Sequence, residues 1–74
     1  MSQEEFIQFS AKELMADEKK ITLETVFRDL PRWSSLNALI YISRIREEYQ
    51  VAISSRQLAS ATTLRDIYVL LSNS

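Results

Sequence analysis

Histidine, cysteine and glycine are all absent from this 74-residue chain, and proline occurs once. Without His or Cys, a reactive serine has no base beside it to take its proton, which excludes Ser–His and Cys–His nucleophilic chemistry. Any chemistry at a serine here must be done to the chain by another protein, and the chain is not expected to be an enzyme. The lack of Cys also removes disulfides and accords with a reducing compartment. Tight two-residue hairpin turns usually need Gly or Asn at positive φ; neither stands between the apolar runs, which points away from β structure.

Other absences narrow the location and the partners. No apolar run approaches the roughly 18–20 residues of a membrane span, and the first residues, Met1-Ser2-Gln3-Glu4-Glu5, are acidic where a secretory leader is basic. The expected setting is cytoplasmic, with no membrane partner. Charges of both signs sum to -1 and Lys19-Lys20 is too short for a basic patch, so nucleic acid is not an expected partner. No His, Cys or carboxylate cluster has metal-site spacing, and no metal is expected.

What is present reads as one folded module spanning 1–74. Apolar residues make up 46% of the chain and charged residues 26%, the balance of a globular domain rather than a disordered tail. A core this small supplies only about 3–5 kcal/mol of net stability, so well-packed helices must provide it.

Helical signals dominate. Ser2-Gln3-Glu4-Glu5 forms a capping box, followed by Phe6, Ile7, Ala11 and Leu14 at helical spacing, with Ser10 inside the stripe and Phe9 somewhat off it. This helix is expected to fade near Met15-Ala16-Asp17. From Asp17 to Ser34 the period is lost, and a connection of that length needs its apolar residues, Ile21, Leu23, Val26, Phe27 and Leu30, tucked onto the core. Pro31 turns the chain before Trp33. A second helix starts at Ser34 or Ser35 and runs to about Tyr49 or Gln50. Its expected core face is Ala38, Ile42, Ile45 and Tyr49, broadened by Leu39, which leaves Leu36, Ile40 and Ser43 as a neighbouring stripe. Ser54 to Ser60 makes one or two turns. Thr63 to Asp66 caps a last helix with a Leu64, Ile67, Tyr68, Leu71 face. The sum is all-α, with three main helices and a minor one.

The ordered set of parts resembles the carrier proteins that bear phosphopantetheine, the acyl carrier proteins and peptidyl carrier domains. The resemblance runs from Leu23 to Leu71: Phe27 and Asp29-Leu30 in the long loop, Trp33 before the second helix, Ser35-Leu36 at its start, Ile42, Ile45 and Glu47-Glu48-Tyr49 along it, Val51 and Ile53 after it, and Thr62-Thr63-Leu64 opening the last helix. It implies a small four-helix bundle of acyl-carrier type with a short third helix and a long first loop. It also implies that Ser35, rather than Ser34, is the attachment serine for a covalent 4'-phosphopantetheine arm. A phosphopantetheinyl transferase would place the arm, and acyl- or aminoacyl-loading and processing enzymes of lipid or secondary-metabolite biosynthesis would use it to carry thioester-linked cargo. A phosphate in the first helical turn would lie where the helix dipole favours negative charge.

Two departures stand out. Family members usually have Asp immediately before the modified serine, and here Ser34 stands there; the runner-up reading is therefore an unmodified helical interaction module that keeps the fold without the arm. The second helix, often acidic in this family, carries Arg44 and Arg46 beside Glu47 and Glu48 and is nearly neutral. Partner docking is then expected to rest on Leu36, Asn37, Ile40, Ser43 and Arg44, with weak charge steering and selective partners. Trp33 and Phe27 are expected to pack rather than to touch cargo, Tyr41 and Tyr68 to sit in the core or at its rim, and Glu47 and Glu48 to form a solvated helix end. Met1 and the short ends favour a free-standing monomer over a domain of a larger synthase.

Overall fold

The structure, a computed structural model, describes residues 2–73, and among them the chain forms four α-helices in the order expected: α1 (Gln3–Glu13), α2 (Ser35–Tyr49), α3 (Ser55–Ser60) and α4 (Leu64–Ser72). The minor helix is α3. Among the described residues β pairing is limited to one isolated antiparallel bridge, between Val26 and Thr63.

Helix α1 begins where Ser2 Oγ accepts the Glu5 backbone N–H at 3.1 Å, with Glu4 and Glu5 set in the positive first turn. It ends at Glu13, slightly before the expected fade. Met15 takes the left-handed conformation (φ 56°), its N–H bonds to Lys12 O, and the Ala16 N–H reaches back to Ala11 O at 2.9 Å. That is a Schellman stop built without glycine. Gln50 closes α2 in the same left-handed region (φ 58°), bonding its N–H to Arg46 O at 2.9 Å. The absence of Gly argued against hairpins, but it does not prevent these two single-residue left-handed stops.

The long connection from α1 to α2 is ordered by its own short turns and by attachment to the far end of the chain. Asp17 accepts the Lys19 N–H on its side chain and the Lys20 N–H on its carbonyl, both at 2.9 Å. Ile21, Leu23 and Phe27 are buried as expected and Leu30 is half-buried, whereas Val26 faces outward beside its bridge to Thr63. The carbonyls of Leu23 and Thr25 accept the N–H groups of Arg65 (2.8 Å) and Leu64 (3.1 Å). These are first-turn amides of α4, which a helix cannot satisfy internally. Glu24 adds an ion pair to Arg65.

The core contains Phe6, Leu14, Phe27, Tyr41, Ile45, Leu64 and Ile67. Helix α4 buries Leu64, Ile67 and Leu71, and half-buries Tyr68 against Phe6 (ring centroids 5.4 Å apart), as its periodicity foretold. Helix α3 is capped by Ser54 and Gln57 reciprocally, at 3.0 and 2.9 Å.

Helix α2 departs from its expected orientation. Ile45 is buried and Ala38, Ile42 and Tyr49 are half-buried, but the buried row runs Asn37, Tyr41, Ile45, and Leu39 is 60% exposed. Its first turns are apolar on almost every side, so periodicity left the rotation open. Contacts with α1 decide it: Phe9 stacks on Tyr41 (6.1 Å, 27°) and meets Tyr49 edge-on (5.1 Å, 77°), and the Ser10 hydroxyl bonds the Tyr41 hydroxyl at 2.7 Å. Ser10, the polar residue inside α1's apolar stripe, is fully buried for that reason.

Candidate functional site

The site is built by a turn that aims α2. Pro31 and Arg32 occupy the middle of a turn closed by the Trp33 N–H on Leu30 O at 3.1 Å, with Pro31 where its fixed φ suits such a turn. Trp33 is half-buried and packs edge-on against fully buried Phe27 (5.0 Å, 64°), so both aromatics are loop anchors, as expected.

The two serines then part in role. Ser34 has extended backbone and its Oγ accepts the Asn37 N–H at 3.0 Å, which makes it the N-cap of α2. Ser35 is the first helical residue; it is exposed, and its hydroxyl makes no hydrogen bond with the described residues. It lies at the N-terminus of a 15-residue helix with no acidic residue in its first turn, where the unsatisfied N–H groups and the dipole favour negative charge. A phosphodiester fits here: one serine is occupied in holding the helix end, and the next is free, accessible and favourably placed for negative charge.

Ser35 also lines an open cleft of about 320 Å³ between α2 and α3. Trp33, Ala38 and Ile42 form one part of it and Ser55, Leu58 and Ala59 the other. Arg28 braces this cleft. Its guanidinium lies 4.9 Å from the Phe27 ring centroid and donates to three carbonyls at the end of α3: Ala61 O at 2.6 Å, Ala59 O at 2.7 Å and Leu58 O at 2.8 Å. Leu58 O also takes the Ala61 N–H at 3.1 Å, but a helix C-terminus leaves most of its last carbonyls without partners in the helix, and a cation suits the negative end of its dipole. Sequence reading missed Arg28. Its partners stand 30 to 33 positions downstream, and no local pattern announces them.

The five residues expected to dock partners do not share one surface. Leu36 and Ile40 are 68% and 45% exposed, and Ser43 is exposed beside them. Asn37 is a correction. It is buried on the Tyr41–Ile45 row, with its side-chain oxygen accepting no hydrogen bond from the described residues, and so offers no docking surface. Arg44 is half-buried and turned toward α1, where Nε meets Glu13 at 3.3 Å while Nη1 meets Glu47 at 2.9 Å. Leu39, assigned to the core on periodicity, joins the exposed set instead.

No group of His, Cys, Asp and Glu among the described residues could hold a metal, and no helix there is long and apolar enough to cross a membrane. Tyr41 is sealed in the core, and burial pushes its phenol well above the ordinary tyrosine value, with the Ser10 hydrogen bond pulling the other way. A family model described as the phosphopantetheine attachment site matches residues 4–71. No curated protein matches the chain significantly.

Proposed function

The chain belongs to the phosphopantetheine attachment-site family, whose domains are non-catalytic carriers with a covalent 4'-phosphopantetheine, and we propose that this one is a single-domain carrier modified at Ser35. The observation that carries the assignment to Ser35 is the division of labour at the start of α2: Ser34 Oγ is engaged in the cap, while Ser35 Oγ is exposed and unengaged.

In the modification, Ser35 Oγ attacks the pantetheine-bearing phosphorus of coenzyme A. The nucleotide half leaves with the other phosphate, and the hydroxyl proton passes to a base of the transferase, since this chain has no His or Cys to take it. The arm's terminal thiol supplies the group that holds acyl or aminoacyl cargo. The chain's own residues orient the tether: Ser34 holds the helix end, Trp33 on Phe27 sets its direction, and first-turn amides favour the phosphodiester. The partners that follow are a phosphopantetheinyl transferase and the enzymes that load and process cargo in lipid or secondary-metabolite biosynthesis, acting in the cytoplasm on a monomer.

Ser34, in place of the Asp usual before the modified serine, favours a second reading in which the fold persists as an unmodified interaction module. Intact mass after incubation with coenzyme A and a broad-specificity transferase separates the two. The carrier reading expects a gain of one phosphopantetheinyl group, kept in Ser34→Ala and lost in Ser35→Ala. No gain with any transferase, including that of the source cell, selects the module.

A further inference from the structure

We infer that the Ser35 side of the molecule docks on an apolar protein surface rimmed with carboxylates, the reverse of what an acidic carrier helix would require. Only the nature of the partner, an enzyme that loads or processes cargo, rests on the carrier reading.

The inference starts from how charge is distributed. The whole chain is nearly neutral, at -1, but residues 30–46 include Arg32, Arg44 and Arg46 and no Asp or Glu, and α3 adds Arg56, again with no acid. Both helical walls of the cleft beside Ser35 therefore bear cations alone up to Glu47. The structure then sorts these cations. Arg44 is neutralised by Glu13 and Glu47, and Arg28 is held by the α3 carbonyls. Arg32, Arg46 and Arg56 are exposed and make no ion pair with the described residues. Glu47 shares Arg44 with Glu13, and Asp29 and Glu48 are exposed at the two ends of this segment, but from Arg28 to Ser60 five arginines outnumber the three carboxylates Asp29, Glu47 and Glu48, a balance of +2.

Along the chain between Arg32 and Arg46 lie Leu36, Leu39 and Ile40, 68%, 60% and 45% exposed. Exposed apolar side chains on a segment that also carries unpaired guanidinium groups match an interface whose centre is apolar and whose rim carries the opposite charge. Guanidinium forks pair well with carboxylates, and like charge on a partner would be rejected. The chain's own carboxylates lie mostly elsewhere, with Glu4, Glu5, Asp17 and Glu18 near the two ends of α1.

Two synthetic amphipathic helical peptides provide the test. They share one Leu/Ile face and differ only in flanking Glu or Lys, and each is titrated into the isotope-labelled full chain while backbone amide shifts are followed. The Glu peptide is expected to bind about tenfold more tightly than the Lys peptide at low salt, a sum of several exposed ion pairs. Its shifts should fall on Leu36, Leu39 and Ile40, and the gap should close at about 0.5 M salt. Arg32→Glu with Arg46→Glu should reverse the preference. Equal affinities, a preference for the Lys peptide, or shifts confined to α1 and α4 would overturn the inference. So would concentration-dependent shifts of the same amides without peptide, which would assign the surface to a second copy of the chain. The measurement needs no arm on Ser35, so failure of the carrier reading shows separately, as absence of the mass gain.

Discussion

The hydroxyl groups of Ser10 on α1 and Tyr41 on α2 lie 2.7 Å apart with both residues fully shut off from solvent. Neither could be buried alone without stranding a polar atom, so the pair couples the rotation of α2, and with it the side of the molecule on which Ser35, Leu36 and Ile40 stand, to the face of α1.

The costs of removing the two partners should therefore not add. Tyr41→Phe and Ser10→Ala are each expected to lose about 1–3 kcal/mol by orphaning a buried hydroxyl, and the double variant less than their sum. Urea unfolding of the four proteins checks it. Because burial raises the Tyr41 phenol above its ordinary value, its contribution is fully present below about pH 10, the unfolded value, and is lost as pH rises toward the folded one. Tyr41→Phe should flatten that alkaline decline.

Arg28 holds the end of a helix only six residues long, which has no independent stability. Arg28→Ala should cost about 2 kcal/mol through lost charge-assisted bonds. Hydrogen exchange should rise first in α3, at amides such as Leu58 and Ala61, while α1 keeps its protection; uniform loss across the chain would show that the brace is not local.

Met15 occupies a left-handed position that a Cβ disfavours, and its side chain is 58% exposed. Met15→Gly should stabilise the protein by about 1 kcal/mol, relief of strain exceeding the added freedom of the unfolded chain. A rise in thermal midpoint with unchanged helicity is the expected result.

Asp66 Oδ2 accepts the N–H groups of Thr62 (2.8 Å) and Thr63 (3.1 Å), and these bonds hold its carboxyl below the ordinary value, the Thr62 bond most of all. A lowered carboxyl stabilises the fold above its unfolded value near 4 and loses that effect as pH falls through the folded value. Asp66→Asn should retain part of the cap at pH 7 and show a shallower acid decline in thermal midpoint below about pH 4.

Ser34→Asp should keep the cap, since aspartate accepts the same N–H, and should add favourable charge at the start of α2. The rate of arm transfer to Ser35 is expected to rise several-fold, read by intact mass against time, with Ser34→Ala slower than Ser34→Asp and less stable than the natural chain by about 1 kcal/mol.

Much of this protein was legible in its residues because the signals are local. Ser2, Ser54 and Asp66 cap helices within three or four positions of themselves, Leu64, Ile67 and Leu71 declare one face, and Pro31 turns the chain ahead of Trp33. The order of these parts around Ser35-Leu36 is enough by itself to suggest the carrier family.

Tertiary structure decided what local spacing could not. The first turns of α2 are apolar nearly all round, so only the Ser10–Tyr41 bond and the Phe9 contacts choose its buried row; they take Asn37 inward and put Leu39 outside. The long loop shows no period because what holds it comes from elsewhere: Arg28 on the α3 carbonyls, and the Leu23 and Thr25 carbonyls on the α4 amides. Sequence alone determined which segments are helices and which serine pair opens α2, since capping and periodicity act over a few residues. Only the fold determined which face of α2 is buried and which cations remain unpaired, because those depend on partners that the chain brings together across tens of residues.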